Sequence, residues 1–180
     1  SLFMVLVGVL NVLLYRYSQQ ETIVVGFPVA NRLHEETESL IGFFVNTLPL
    51  RVDLSQELCF EELLLQIRQS TLEAYNNQDL PFEQLVNTLA LSRQINQHPL
   101  FQVMFVLQNN EDSELALKGV DVVPLSTQYP ISKFDLTVAV AEVVDIGLRI
   151  EFEYATDLFK CETIERFAGN FGVLLQSIVL

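Results

Sequence analysis

Residues Leu2 to Tyr17 read LFMVLVGVLNVLLYRY and are apolar on almost every side, with Arg16 the one charge among them. A helix of this kind has no face to offer water, so other elements must wrap it, or a bilayer must. A bilayer core asks for ~20 such residues, and this stretch falls short. It also lacks the basic start and small-residue cleavage site of a secretory signal. What remains is a core helix, which demands layers able to cover it on several sides. The chain opens within this element, with no initiator methionine and no leading turn. The expectation is a piece of a longer protein.

The covering layers follow in order. Ile23 to Ala30 reads as a buried strand closed by Asn31-Arg32. Pro28 cannot donate to a ladder, so the strand should end there or meet a sheet edge. Arg32 to Glu38 is a solvated turn leading to a short helix around Glu38 to Gly42, and Thr47 to Leu54 forms the next strand. Phe60, Leu63, Leu64, Ile67 and Ala74 keep helical spacing, with Glu61, Glu62, Gln66, Gln69 and Glu73 mostly opposite. Cys59-Phe60-Glu61-Glu62 has the spacing of a capping box with its first residue replaced. Pro81 opens a second helix, Phe82 to Leu89, at a position proline tolerates. Phe101, Val103, Phe105 and Leu107 alternate as a strand. So do Phe134, Leu136, Val138 and Val140, and again Leu148, Ile150, Phe152 and Tyr154, with Asp145-Ile146-Gly147 joining the last two as a hairpin. Asn109 to Glu114 is a polar loop and Leu115 to Tyr129 a weakly patterned extended region. A final amphipathic helix carries Ile164, Phe167, Phe171, Leu174, Leu175 and Ile178. The order predicts a mixed α/β fold whose helices cover a central sheet.

At 180 residues, half of them hydrophobic, the chain suits one domain and is not disordered. Its net charge of -13 repels phosphate backbones and anionic bilayers, so neither nucleic acid nor membrane is an expected partner. The two cysteines, Cys59 and Cys161, lie far apart, have no metal-ligand spacing and fit a reducing cytoplasm. Both fall at expected helix starts, where a thiol's pKa can drop, yet neither has a histidine nearby in sequence. His34 stands in a charged turn and His98 before a proline, each without a second histidine or a well-spaced carboxylate. No phosphate loop, metal motif or nucleophile elbow occurs, and no residue reads as a convincing catalytic base.

Three segments stand out by placing polar groups inside apolar runs. The first is Leu40-Ile41-Gly42-Phe43-Phe44-Val45-Asn46-Thr47-Leu48-Pro49-Leu50-Arg51, where Gly42 permits close backbone approach and the Asn46-Thr47 pair needs hydrogen-bonding partners. The second, Asn77-Gln78-Asp79-Leu80-Pro81-Phe82-Glu83, has Asp79 placed to cap the helix that Pro81 opens and Phe82 placed to anchor it. The third runs from Arg93 to Phe101. Arg93 stands either inert at the surface or as the holder of a carboxylate not identifiable here.

Within these segments, Ile41 to Thr47, Asn77 to Glu83 and Arg93 to Leu100 together resemble three successive core motifs of nonribosomal peptide synthetase condensation domains. Val24 to Arg32, Lys133-Phe134-Asp135-Leu136 and Glu153 to Phe159 match the same family, so the resemblance covers essentially the whole chain. It implies the C-terminal lobe of a two-lobed fold similar to chloramphenicol acetyltransferase, a mixed sheet covered by helices. The family's His-His-x-x-x-Asp-Gly signature belongs to an N-terminal lobe and is absent from this sequence. The resemblance therefore assigns no catalytic residue to this chain. It places Gly42, Phe43, Phe44, Asn46 and Thr47 along a substrate tunnel, part of Gly26 to Ile41 on its floor, and a latch within Asn109 to Lys133. Asp79, Pro81 and Phe82 become structural motif residues, and Arg93 the partner of the signature's aspartate across the lobes. The implied partners are the N-terminal lobe, upstream and downstream carrier proteins with phosphopantetheine arms, and an adjacent adenylation domain; no cofactor or metal is expected on this chain itself. A non-catalytic docking lobe and an epimerisation- or cyclisation-type relative are the alternatives.

Overall fold

The structure is a computed structural model of the chain, and it describes residues 1–89, 98–108, 119–120, 131–143 and 147–179. In chain order the elements are α1 (Leu2–Ser18), β1 (Thr22–Val29), α2 (Glu35–Glu38), β2 (Asn46–Asp53), α3 (Phe60–Asn76), α4 (Phe82–Thr88), β3 (Val103–Gln108), β4 (Leu136–Val143), β5 (Gly147–Tyr154) and α5 (Cys161–Val179).

Helix α1 starts where the Ser1 Oγ accepts the Met4 N–H (3.4 Å), and it stops at Gln19, whose backbone is left-handed. Leu6, Val7, Val9, Leu10 and Leu13 are buried, as an all-round apolar helix requires. Burying these five side chains is worth on the order of 10 kcal/mol. That outweighs the few tenths of a kcal/mol that each β-branched valine costs in a helix. The wrapping comes from α3 and α5 on its flanks and β1 beneath. The polar end of α1 is tied down separately: Tyr17 packs edge-to-face with Phe167 and its hydroxyl accepts from Asn170 Nδ2 (2.9 Å).

The five strands form one sheet in the order β2-β1-β3-β4-β5, antiparallel at both outer pairs and parallel at both inner ones. Register places Leu50, Val25, Val103, Leu136 and Tyr154 in one row across all five strands. Because strand side chains alternate in direction, this row and its neighbours two residues away face the helices and make the core. Gly26 and Met104 form a pair one residue along, on the opposite face.

The structure relocates one expected element and decides between the two alternatives for Pro28, which sits at a local sheet edge. The short helix before β2 lies at Glu35–Glu38 rather than around Glu38 to Gly42. Glu35 and Glu36 favour the positive end of a helix, so they sit in its first turn, while Gly42 lies in the open loop beyond. Pro28 does not end its strand. It pairs with Thr47 of β2, past the last described pair between β1 and β3 at Gly26, so its missing N–H falls where that side needs no donor. The hairpin between β4 and β5 is present, closing at Val143 opposite Gly147, whose φ of 101° suits glycine. The extended region at 115–129 lies almost wholly outside the described residues, and the polar loop before it lies wholly outside them.

Candidate functional site

The first two sequence segments meet through one side chain. Asn46, at the start of β2, donates from Nδ2 to the carbonyls of Gln78 and Leu80, both at 2.8 Å. Its Oδ1 accepts from the Thr47 N–H (2.9 Å) and the Phe82 N–H (3.2 Å). Two donors and two acceptor sites exhaust a primary amide, so Asn46 is a saturated joint. The cap on α4 follows from it. Asp79 stands exposed in the loop, Pro81 occupies the N-cap position without a side-chain bond, and the first N–H of α4 is met by Asn46 instead. The sequence expectation that Asp79 caps this helix is thereby corrected: proline has no side-chain acceptor, and a residue from another element fills the role.

Phe82 carries the join to the third segment. Its ring stacks on His98 at 5.7 Å and lies 5.5 Å from Phe101, while His98 and Phe101 both pack on Phe134. Gly26 makes room for this cluster. A Cβ there would come within 2.2 Å of the Phe101 ring, which covers the sheet face opposite α1. Between His98 and Phe101 the chain turns tightly: Leu100 has φ 74° and the Phe101 N–H donates to the Pro99 carbonyl (3.0 Å). This is the geometry of a γ-turn, a strained conformation costing about 1–3 kcal/mol that only a packed surrounding retains. His98 is accordingly a member of an aromatic cluster. Among the described residues its ring nitrogens meet only the Pro99 carbonyl, from Nδ1 at 3.1 Å. His34 is exposed at the N-cap of α2 and its side chain makes no capping bond. Arg93 lies outside the described residues.

The remaining tunnel candidates occupy the loop between α2 and β2. Phe43 is 94% exposed and Ile41 fully so, an unusual state for two large apolar side chains so close together in one loop. Phe44 turns inward, half-buried, and a Cβ on Gly42 would meet its ring at 2.8 Å. Thr47, half-buried, opens β2 against Pro28. The sequence places Arg32 at the close of β1, within the span that the resemblance puts along the tunnel floor, but does not foretell its partners. Its Nη1 donates to the carbonyls of Thr37 and Glu38 (3.3 Å to the latter), and the guanidinium lies 4.4 Å from the centre of the Phe44 ring.

Next to this loop, at the carboxyl ends of the parallel strands β1 and β3, lies a cavity of about 410 Å³ bordered by Phe3, Phe27, Arg32, Tyr75, Gln78 and Leu107. Partial desolvation pushes the Tyr75 phenol above its ordinary value. A larger cavity of about 550 Å³ sits between α1, α3 and α5 and touches none of the three segments. Among the described residues no group of three or more His, Cys, Asp or Glu side chains could hold a metal ion, and no helix is long and apolar enough to cross a membrane.

Solved structures share this architecture. A four-domain nonribosomal peptide synthetase, holo-AB3403 bound to AMP and glycine, superposes with a TM-score of 0.85 at 22% identity, over 99% of this chain and 15% of that one. The X-domain from teicoplanin biosynthesis matches with a TM-score of 0.82 at 27% identity, over 96% of this chain and 40% of that one, and a related structure shows an X-domain in complex with OxyB. The fold is therefore of the chloramphenicol-acetyltransferase-like class that condensation domains adopt.

Sequence comparison narrows the class. A linear gramicidin synthase of Brevibacillus parabrevis is 51% identical over 180 residues, and malpinin synthetase of Mortierella alpina is 49% identical over 178. Each match takes in 99% of this chain and 2% of the synthetase, so the chain spans a small fraction of these relatives. The condensation-domain family model matches residues 1–180, and the chain belongs to that family, found in nonribosomal peptide synthetases.

Proposed function

We propose that residues 1–180 are the C-terminal lobe of a condensation domain and form one wall of the channel in which a peptide bond is made. The observation that carries this reading is the convergence of the first two segments with the described end of the third, His98 to Phe101. Asn46 and Phe82 bring them together beside a loop that holds Ile41 and Phe43 out into solvent. Apolar side chains so placed suit a surface that another lobe completes. A starter condensation domain of which this chain covers 41% leaves ample sequence for that lobe.

In the reaction so assigned, the amine of an acceptor aminoacyl group attacks the thioester carbonyl of the donor. The C–N bond forms, the C–S bond breaks, and the donor phosphopantetheine thiol departs as the amine loses its proton. Both substrates arrive on phosphopantetheine arms of carrier proteins, upstream and downstream, with an adenylation domain adjacent in a cytoplasmic synthetase. In this reading the chain contributes orientation, and the histidine that meets the amine comes from the N-terminal lobe. Proximity then makes the chain inactive alone, because the two lobes must assemble acceptor, donor and imidazole into one geometry.

The test compares the complete parent domain with residues 1–180 alone, each assayed for dipeptide formation from two loaded carrier proteins. Turnover by the complete domain and none by residues 1–180 is the expected result. Turnover by the isolated chain would overturn the division of labour. The second reading, a docking lobe without chemistry, is favoured by the likeness to an X-domain that has a complexed protein partner. It is the answer if the complete domain is also inert yet still binds its carrier proteins.

A further inference from the structure

We propose that Arg32 is a positioning residue for the condensation surface: it holds the Leu40–Val45 loop in one conformation, so that Ile41 and Phe43 meet the rest of the channel preorganised. The proposal rests on the channel-wall reading above and adds a residue to it. Three observations carry it. The loop has no regular structure of its own and its outward side chains are bare, so whatever fixes it must act from behind. Asn46 fixes its far end, at the entry to β2. Arg32 is the matching anchor at the near end, bonding the last carbonyls of α2 while its guanidinium plane covers Phe44, the loop's one inward-facing ring.

The choice of partners excludes a simple charge role. Glu35, Glu36 and Glu38 stand within six residues of Arg32, yet among the described residues it forms no ion pair with any of them. Its donors go to neutral carbonyls, and its flat face to an aromatic ring. Both carbonyl bonds leave from Nη1, so what lysine lacks here is the delocalised planar group that lies over Phe44. Loss of the anchor should release the loop without unfolding the domain, because the core rows of β1 and β2 continue without it. A wall displaced by about 1 Å can cost on the order of 100-fold in rate.

The experiment uses the complete parent domain carrying Arg32→Ala, Arg32→Lys, Phe44→Leu or the Arg32→Ala/Phe44→Leu pair. Val86→Ala, in the buried face of α4, serves as a stability-matched control. Two quantities are read: hydrogen exchange of the 40–45 backbone, and kcat/KM for dipeptide formation per folded molecule. Arg32→Ala should speed exchange in the loop and lower kcat/KM, each roughly tenfold or more. Arg32→Lys should fail to restore either, and the double variant should be no worse than the worse single. Val86→Ala should leave both near wild type once normalised to folded protein. Restoration by lysine, or loop exchange unchanged by Arg32→Ala, overturns the proposal. A wild-type domain that makes no dipeptide sinks the condensation reading instead, and exchange then judges the hold of Arg32 by itself.

Discussion

Asn46 shows how much one amide can organise. Four hydrogen bonds, each worth about 0.5–1.5 kcal/mol net, converge on a side chain that sequence reading could only mark as a polar group wanting partners. Its partners were not legible because most are main-chain groups more than thirty residues away, which every sequence possesses. Asn46→Ala is expected to lower stability by about 2–3 kcal/mol in urea unfolding, and Asn46→Asp by more, since it would aim an oxygen at two carbonyls. Gly26→Ala should cost about 1–3 kcal/mol by the same measurement, because a methyl group there meets the Phe101 ring. A third prediction concerns pH. The Cys59 N–H donates to the Glu62 carboxylate (2.9 Å) and holds its pKa below the ordinary glutamate value. The contribution is therefore fully present above that ordinary value, ~4.3, and is lost as pH falls through the lowered one. Glu62→Gln should flatten that part of the acid limb of a stability–pH curve.

Among the elements, α1 and the strands were the most legible. An all-round apolar run has one outcome in a folded chain, and the period-two alternation of Phe152 and Val138 survives as cross-strand neighbours. The capping pattern at Cys59 was equally readable, because Glu62 reaches back to the residue three before it. Less legible was the short helix α2, where four residues carry too few contacts to outvote local charge. Asn11 is the oddity of α1: fully buried, donating to the Val7 carbonyl (2.7 Å), with no partner for its Oδ1 among the described residues. Removing a buried orphan acceptor relieves its desolvation cost, so Asn11→Leu should be neutral or stabilise by about 1 kcal/mol in thermal unfolding.

On the scale of the whole molecule, Ile41 and Phe43 are the most exposed large apolar side chains among the described residues. The net charge of -13 opposes association, yet two bare apolar side chains on one loop invite it. Ile41→Ser with Phe43→Ser should reduce self-association of the isolated chain in light scattering, while stability changes by no more than about 0.5 kcal/mol. Sequence by itself determined the layers: hydrophobic periodicity is a local property, and so are the turns and caps that bound each element. It also exposed three unusual segments through their composition. Only the tertiary structure decided that the first two segments share one corner with His98 to Phe101, that Asn46 rather than Asp79 caps α4, and that Arg32 turns from nearby carboxylates to carbonyls and a ring. Those choices depend on which distant backbone groups the sheet brings within about 3 Å of a side chain, and no local pattern encodes such a distance.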